Sequence, residues 1–318
     1  MKIVISDCYY DSFDQEKAIF ASLGSDFYKY DCKTEEEVIA VASDCDALVC
    51  QFAPITAKVI DSLKKCKMIV RYAIGYDNID WKYAESKGIY VCNCPDYCID
   101  EVSNHAIALM LDCTRKITYL AGQIKQGNTG YGVIKPVRRT QGKTLGLVGF
   151  GRIARMVAKK MSNFGMTIIS YDPYMDKDVF EQMGVRSVSF DELLKESDFI
   201  SVHCYLNEET RHLFNDQAFE KMKDTCVFVN TARGGVVDEK ALVRALENKH
   251  IGMAGIDVTE SEPVKKDNPL LRFDNVVVTS HMAWYSVESE KELQLKVSQE
   301  VERVMKGEKP LHPVNKPF

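Results

Sequence analysis

The sequence predicts an α/β fold of two domains, a doubly wound parallel sheet joined to a smaller, discontinuous flavodoxin-like sheet. Three observations predict it. Short β-rich runs alternate with amphipathic segments along almost the whole chain, the pattern of parallel strands covered by helices. The length of 318 residues gives room for two cores of ordinary size. At Thr144-Leu-Gly-Leu-Val-Gly149-Phe-Gly151-Arg-Ile-Ala154 an apolar strand runs through a glycine turn straight into a helix, which opens the second sheet.

In order, the first lobe begins with a strand at Lys2-Ile-Val-Ile-Ser6, ended by the charge of Asp7. Further strands are expected at 27–30, 47–50, 68–72 and 89–92, with helices at 15–23, 35–43, 57–63 and 81–87. Gly88 and Pro95 punctuate the end of this sheet. Residues 100–117 carry Val102, Ala106, Leu109, Met110 and Cys113 at helical spacing behind Asp100, a candidate N-cap, and read as a helix crossing to the second lobe. His105 in that helix reads as a packed, hydrogen-bonded histidine. Strands at 145–150, 166–171, 199–204, 227–231, 253–257 and 276–279 then make six, enough for a doubly wound sheet. A last amphipathic helix at 286–305 is long enough to return to the first lobe. The expected domains are therefore 1–98 with 285–318, and 99–284.

Composition narrows the function classes. An apolar fraction of 46%, a charged fraction of 27% and a net charge of −5 describe a soluble globular protein without general attraction to nucleic acid or anionic lipid. The one basic run, residues 135–143, reads as a solvated connector. No apolar run approaches membrane-spanning length, and the N-terminal strand is too short for a signal-peptide core. Eleven cysteines, an odd and scattered set, fit a reducing cytoplasm. Cys92, Cys94 and Cys98 lack a second ligand pair, so no metal is expected; they read as lining a strand end and the loop behind it.

The glycine turn is where a dinucleotide pyrophosphate would sit. Gly149 allows the tight turn, Gly151 lets backbone approach phosphate oxygens, and Ala154 replaces the usual third glycine. The amides of Arg152 and Ile153 then open the helix toward the anion. The next strand ends in Asp172, 21 residues after Gly151, where a carboxylate accepts both ribose hydroxyls and repels a 2′-phosphate. These features imply a Rossmann domain that binds NAD rather than NADP.

Three polar signals come after it, each at the carboxyl end of an expected strand. Arg233, in Asn230-Thr231-Ala232-Arg233-Gly234-Gly235, can clamp a carboxylate bidentately. Glu262 precedes Pro263, and His281 follows Thr279-Ser280. A histidine beside a carboxylate serves as general acid and base.

On these residues the chain resembles the D-isomer 2-hydroxyacid dehydrogenase family, which includes phosphoglycerate, glycerate and D-lactate dehydrogenases. The resemblance implies Arg233, Glu262 and His281 as the catalytic set. It also places Cys204, Thr231, Ala232 and Asp257 with Gly149, Gly151, Arg152, Ile153 and Asp172 around NAD. Arg71-Tyr-Ala-Ile74-Gly75 is similar to the family loop whose amides hold the substrate carboxylate, so Ile74 and Gly75 inherit that role, and Arg71 at its start is expected to bind substrate as well. Gln51 with the Tyr9-Tyr10 loop, and Trp284, are expected near the substrate tail. Trp284, three residues after His281, is most like the C-terminal binding protein branch, while Tyr205 stands where the family usually has proline. The expectation is a cytoplasmic NAD-dependent enzyme, a homodimer pairing through 100–117 and 119–139, acting on a small or medium 2-keto acid. An NADH-sensing corepressor-like binding protein and a D-3-phosphoglycerate dehydrogenase are the alternatives.

Overall fold

Every strand pair in the two sheets of the computed structural model, which describes residues 1–130 and 136–317, is parallel. The chain divides into two compact units, Met1–Tyr97 with Ser286–Phe318, and Cys98–Tyr285.

In the first unit, strands β1 (Lys2–Ile5), β2 (Asp26–Lys29), β3 (Ala47–Cys50), β4 (Met68–Arg71) and β5 (Tyr90–Cys92) lie in the order β2-β1-β3-β4-β5. This is the flavodoxin-like order. β3 and β4 are buried at every residue, as expected of strands covered on both faces. Helices α1 (Asp14–Ser22), α2 (Glu35–Ala42), α3 (Ala57–Ser62) and α4 (Trp81–Ser86) connect them. Thr34 starts α2 with a capping box, and the side chains of Thr56 and Asp80 cap α3 and α4.

The second unit begins with α5 (Ile99–Arg115) and α6 (Ile117–Lys125). Asp100 is not the N-cap expected of it: Cys98 occupies that position, and Asp100 lies in the first turn, where its carboxylate takes the Lys160 ammonium at 2.6 Å. Lys116, in the left-handed region at φ 54°, ends α5 and begins α6, a helix inside what the sequence presents as connector. Residues 131–135 of that connector, Lys135 of the basic run among them, lie outside the described residues.

Then follow β6 (Thr144–Val148), α7 (Arg152–Met161), β7 (Thr167–Tyr171), α8 (Lys177–Gln182), β8 (Arg186–Ser187), α9 (Phe190–Glu196), β9 (Phe199–Val202), α10 (Asp216–Lys221), β10 (Val227–Asn230), α11 (Glu239–Glu247), β11 (Met253–Ile256) and β12 (Val276–Val278). The sheet order is β12-β11-β10-β9-β6-β7-β8, with seven strands where six were expected. The extra one, β8, is a two-residue edge with both side chains exposed. Chain order reverses between β6 and β9, which puts the ligand crevice of an open α/β sheet at the carboxyl ends of those strands. α5 packs closely over β11, where a Cβ on Gly255 would come within 2.9 Å of the Leu109 Cβ.

The final helix, α12 (Val287–Met305), starts at a Ser286 capping box and packs against α1 in the first unit. Its buried polar key is Glu16, which accepts from the Tyr72 hydroxyl at 2.8 Å and from Gln294 Nε2 at 3.1 Å. Burial pushes the Glu16 carboxyl up. The following tail covers the outer edge of β5: Val91 N donates to Asn315 Oδ1 at 2.8 Å and Val314 N to Val91 O at 2.7 Å. Among the described residues no helix is long and apolar enough to cross a membrane. All eleven cysteines are free thiols, and Cys92, Cys94 and Cys98 are buried at the end of β5 and the entry to α5.

Candidate active site

The strand-to-helix turn after β6 is shaped by close approach. Gly149 has φ 86°, and a Cβ there would sit 2.8 Å from Cys204 N and 2.9 Å from the His203 carbonyl, so only glycine lets the loop after β9 cross this turn. Gly151 differs. Its Cβ would meet no protein atom within 4 Å, which leaves open space in front of α7. No side chain caps α7, so its first amides, Arg152 and Ile153 among them, face that space with the positive end of the helix dipole.

Asp172 closes the other side of the turn, its Oδ2 accepting from Phe150 N at 2.8 Å and its Oδ1 from Tyr174 N at 3.0 Å. Thr231 is buried, and its hydroxyl has no partner within the described protein. Cys204 is half-buried at the start of the loop after β9, and Ala232 N is held by Asn230 Oδ1 at 3.0 Å. An anion-facing helix end, room above Gly151, a fixed ribose-side carboxylate and an orphaned hydroxyl fit a dinucleotide.

Arg233 stands at the carboxyl end of β10. Asn230, 1% exposed, donates its Nδ2 to the Arg233 carbonyl at 2.9 Å, and Arg233 Nη1 donates to Ala232 O at 2.8 Å. Gly234, next in sequence, has the backbone of Thr259 lying on it: a Cβ would be 2.0 Å from the Thr259 oxygen and 2.5 Å from Glu260 N. The Arg233 turn and the loop carrying Glu262 are thus packed backbone to backbone. Glu239 at the start of α11 steadies that loop by accepting from Glu260 N at 3.2 Å and Asn268 Nδ2 at 2.9 Å.

Glu262 uses both oxygens. Oε1 accepts from Thr259 N at 3.2 Å, and Oε2 lies 2.7 Å from His281 Nδ1. An ionised carboxylate only accepts, so Nδ1 carries the hydrogen and Nε2 is left to face outward. His281 is 36% exposed and sits at φ 56°, a conformation that non-glycine residues rarely adopt. Asp257, fully buried, holds the turn: its carbonyl accepts from His281 N at 2.8 Å, Oδ1 from Met282 N at 3.0 Å and Oδ2 from Ala283 N at 3.0 Å. Trp284 follows, half-buried and edge-on to Tyr285 with ring centroids 5.5 Å apart. The structure therefore brings Arg233, Glu262, His281 and Asp257 together on one edge of the second unit.

In the first unit, the loop after β4 runs through Ile74 and Gly75, and among the described residues neither of their amides has an acceptor. Asn93 Nδ2 fixes the loop by donating to Ile74 O at 2.6 Å. Arg71 is buried, with Nε donating to Gln51 O at 2.7 Å and Nη1 3.6 Å from Asp77. Gln51 is 4% exposed and its Oε1 has no partner in the described protein. Tyr10 is core, packed edge-on against Tyr72, whereas Tyr9 is exposed against Phe52. Sequence reasoning missed Asp7, whose buried carboxylate gathers the amides of Gln51, Phe52 and Ala53 and so sets the Gln51 loop. It also missed the braces Asn230 and Glu239. Asn230 alone left a signal, three residues before Arg233.

The sequence pattern of the D-isomer specific 2-hydroxyacid dehydrogenase NAD binding domain matches residues 107–283, more than half of the chain. The chain belongs to this family. A glyoxylate reductase from Korarchaeum cryptofilum is 38% identical over 293 residues, covering 89% of this chain and 86% of its own. A D-3-phosphoglycerate dehydrogenase from Methanocaldococcus jannaschii is 41% identical over 286 residues; these are 89% of this chain but 54% of that enzyme, so the chain spans about half its length. The crystal structure of a D-lactate dehydrogenase from Aquifex aeolicus, complexed with NAD and lactic acid, gives a TM-score of 0.89 at 27% identity, covering 99% of this chain and 100% of that one. As a 2-hydroxyacid dehydrogenase the protein is an NAD-dependent oxidoreductase acting on the CH–OH group, built on the two parallel-sheet units described above.

Proposed function

We propose that this dehydrogenase reduces medium-sized apolar 2-keto acids with His281 as proton donor, the second unit binding NAD. The observation that carries the reading is the 2.7 Å contact of His281 Nδ1 with Glu262, which fixes the ring's tautomer and directs Nε2 outward. NADH, when bound, supplies hydride to the keto carbon. His281 Nε2 gives the carbonyl oxygen its proton, Glu262 balances the imidazolium, and Arg233 orients carboxylate and carbonyl. Within the first unit, the unpartnered amides of Ile74 and Gly75 are the candidates for binding a carboxylate.

Trp284 supplies a flat apolar wall for the tail, and its spacing from His281 supports a place near the C-terminal binding protein branch. Gln51 is neutral and Arg71 is already engaged by Gln51 O and Asp77, so neither offers a ready cation for a phosphate. The phosphoglycerate dehydrogenase relative keeps that second reading in the test. α6 has no buried residue and exposes Ile117 and Ile124, which supports pairing of two copies there. Eleven free thiols support a cytoplasmic location.

The test is NADH oxidation with 4-methylthio-2-oxobutyrate, phenylpyruvate, pyruvate, glyoxylate and 3-phosphohydroxypyruvate. The apolar acids should have the highest kcat/KM. His281→Ala should lower kcat by about two to four decades with NADH binding nearly unchanged. A phosphorylated acid outperforming the apolar ones would overturn the substrate reading, and full turnover by the variant would overturn the donor.

A further inference from the structure

α5 sends one side chain to the turn that carries His281. His105 Nε2 lies 3.0 Å from Thr279 Oγ1 and 3.4 Å from Asp257 Oδ1, and Thr279 Oγ1 lies 2.6 Å from the same carboxylate oxygen. The close packing of α5 over Gly255 brings the helix within reach.

Hydrogen counting gives this chain a direction. The Asp257 carboxylate accepts the Met282 and Ala283 amides, so it is an acceptor toward Thr279 as well. A hydroxyl has one hydrogen, which the short contact assigns to Asp257; Thr279 therefore accepts from His105, and His105 Nε2 carries a hydrogen whatever the charge of the ring. The order is His105 N–H to Thr279 O–H to Asp257 carboxylate.

That carboxylate is the clamp on a strained residue. His281 at φ 56° persists only because its surroundings over-determine it, and the backbone amides of His281, Met282 and Ala283 all donate to Asp257. We infer that His105 is a positioning residue for proton transfer, acting through Thr279 and Asp257 to hold the His281 imidazole at its working angle. It touches neither substrate nor cofactor in this role. The inference rests on the reading of His281 as proton donor.

The experiment compares His105→Phe, which keeps a ring but loses the donor, with His105→Gln, which restores an N–H, with Thr279→Val, and with the double variant His105→Phe/Thr279→Val. The readouts are kcat and KM for the best keto acid, Kd for NADH by fluorescence, and Tm. His105→Phe should lower kcat about ten-fold while KM and Kd stay within about two-fold, the scale of one hydrogen bond in a charged network. His105→Gln should recover most of kcat. The double variant should be no worse than Thr279→Val alone, because a chain broken at one link has nothing further to lose.

Full kcat in His105→Phe, losses that multiply in the double variant, or a fall in Tm with kcat intact would each overturn the positioning role. His281→Ala run alongside separates the two readings. With that variant at background, an active His105→Phe overturns the positioning role alone; full activity of His281→Ala overturns the donor assignment, and the positioning role with it.

Discussion

Gly234→Ala is a one-carbon test of how the site is held together. Gly234 has an ordinary φ, so alanine brings no backbone strain of its own; the whole effect is collision. The new Cβ would lie 2.0 Å from the Thr259 oxygen, and ordinary contact begins near 3.4 Å, so the two backbones must separate by about 1.4 Å. Thr259 N holds Glu262 Oε1 at 3.2 Å and Glu262 Oε2 holds His281 at 2.7 Å, so a shift of that size breaks both contacts. A misplacement near 1 Å costs about a hundred-fold in rate, and overpacking costs about 1–3 kcal/mol of stability. The expected result is kcat down about a hundred-fold, Kd for NADH within a few-fold of wild type, and a modestly lower Tm. Steady-state kinetics, fluorescence titration and thermal melts measure the three. Wild-type kcat in a folded Gly234→Ala protein would show that the Glu262 loop does not depend on this contact.

The remaining predictions concern the cofactor side and pH. Gly151→Ala meets no protein atom, so Tm should hold while NADH affinity drops by about ten-fold or more, as a methyl intrudes on the phosphate approach; unchanged Kd would remove the pyrophosphate from this turn. Asp172→Ser should narrow the preference for NADH over NADPH by about one to two decades by removing a carboxylate beside the 2′-position, checked by kcat/KM with each cofactor. Burial pushes the His203 imidazole down to about 4, from an ordinary value of 6.5. The unfolded chain then takes up this proton first, so the neutral histidine costs nothing above pH 6.5 and the fold loses up to about 3 kcal/mol as pH falls to 4. Denaturant melts should show that slope in the wild type and a shallower one in His203→Gln.

What the sequence made legible is what local chemistry marks. Apolar runs such as Leu48-Val49 and Ile69-Val70 became buried strands, and Gly149-Phe-Gly151 became the turn that the spacing implied. β8 left no mark because Arg186 and Ser187 are exposed and present no apolar period. The α5–α6 break was hidden because Lys116 takes a left-handed conformation without glycine or proline to signal it. Asp100 looked like a cap by residue type, yet the N-cap falls two residues earlier, at Cys98, and the Asp100 carboxylate is taken by Lys160, 60 residues away. The partners of His105 and Asp7 were unreadable for the same reason: the His105 to Thr279 contact spans 174 residues and Asp7 reaches the Gln51 loop across 44, distances over which a single sequence carries no pairing signal.

The tail that covers β5 has a consequence for how the chain comes off the ribosome. Val91 and Asn315 are 224 residues apart, so the edge of the first sheet stays open through the synthesis of everything between them. At about 5–20 residues per second that interval is roughly 10–45 s, during which an apolar strand edge can template pairing with another nascent chain. The Cys98–Tyr285 segment has no such wait, since all of its strands emerge in one stretch. Vectorial synthesis thus makes the second unit the earlier one to finish and leaves the first as a half-closed passenger, the part whose yield in the cell depends most on chaperone cover.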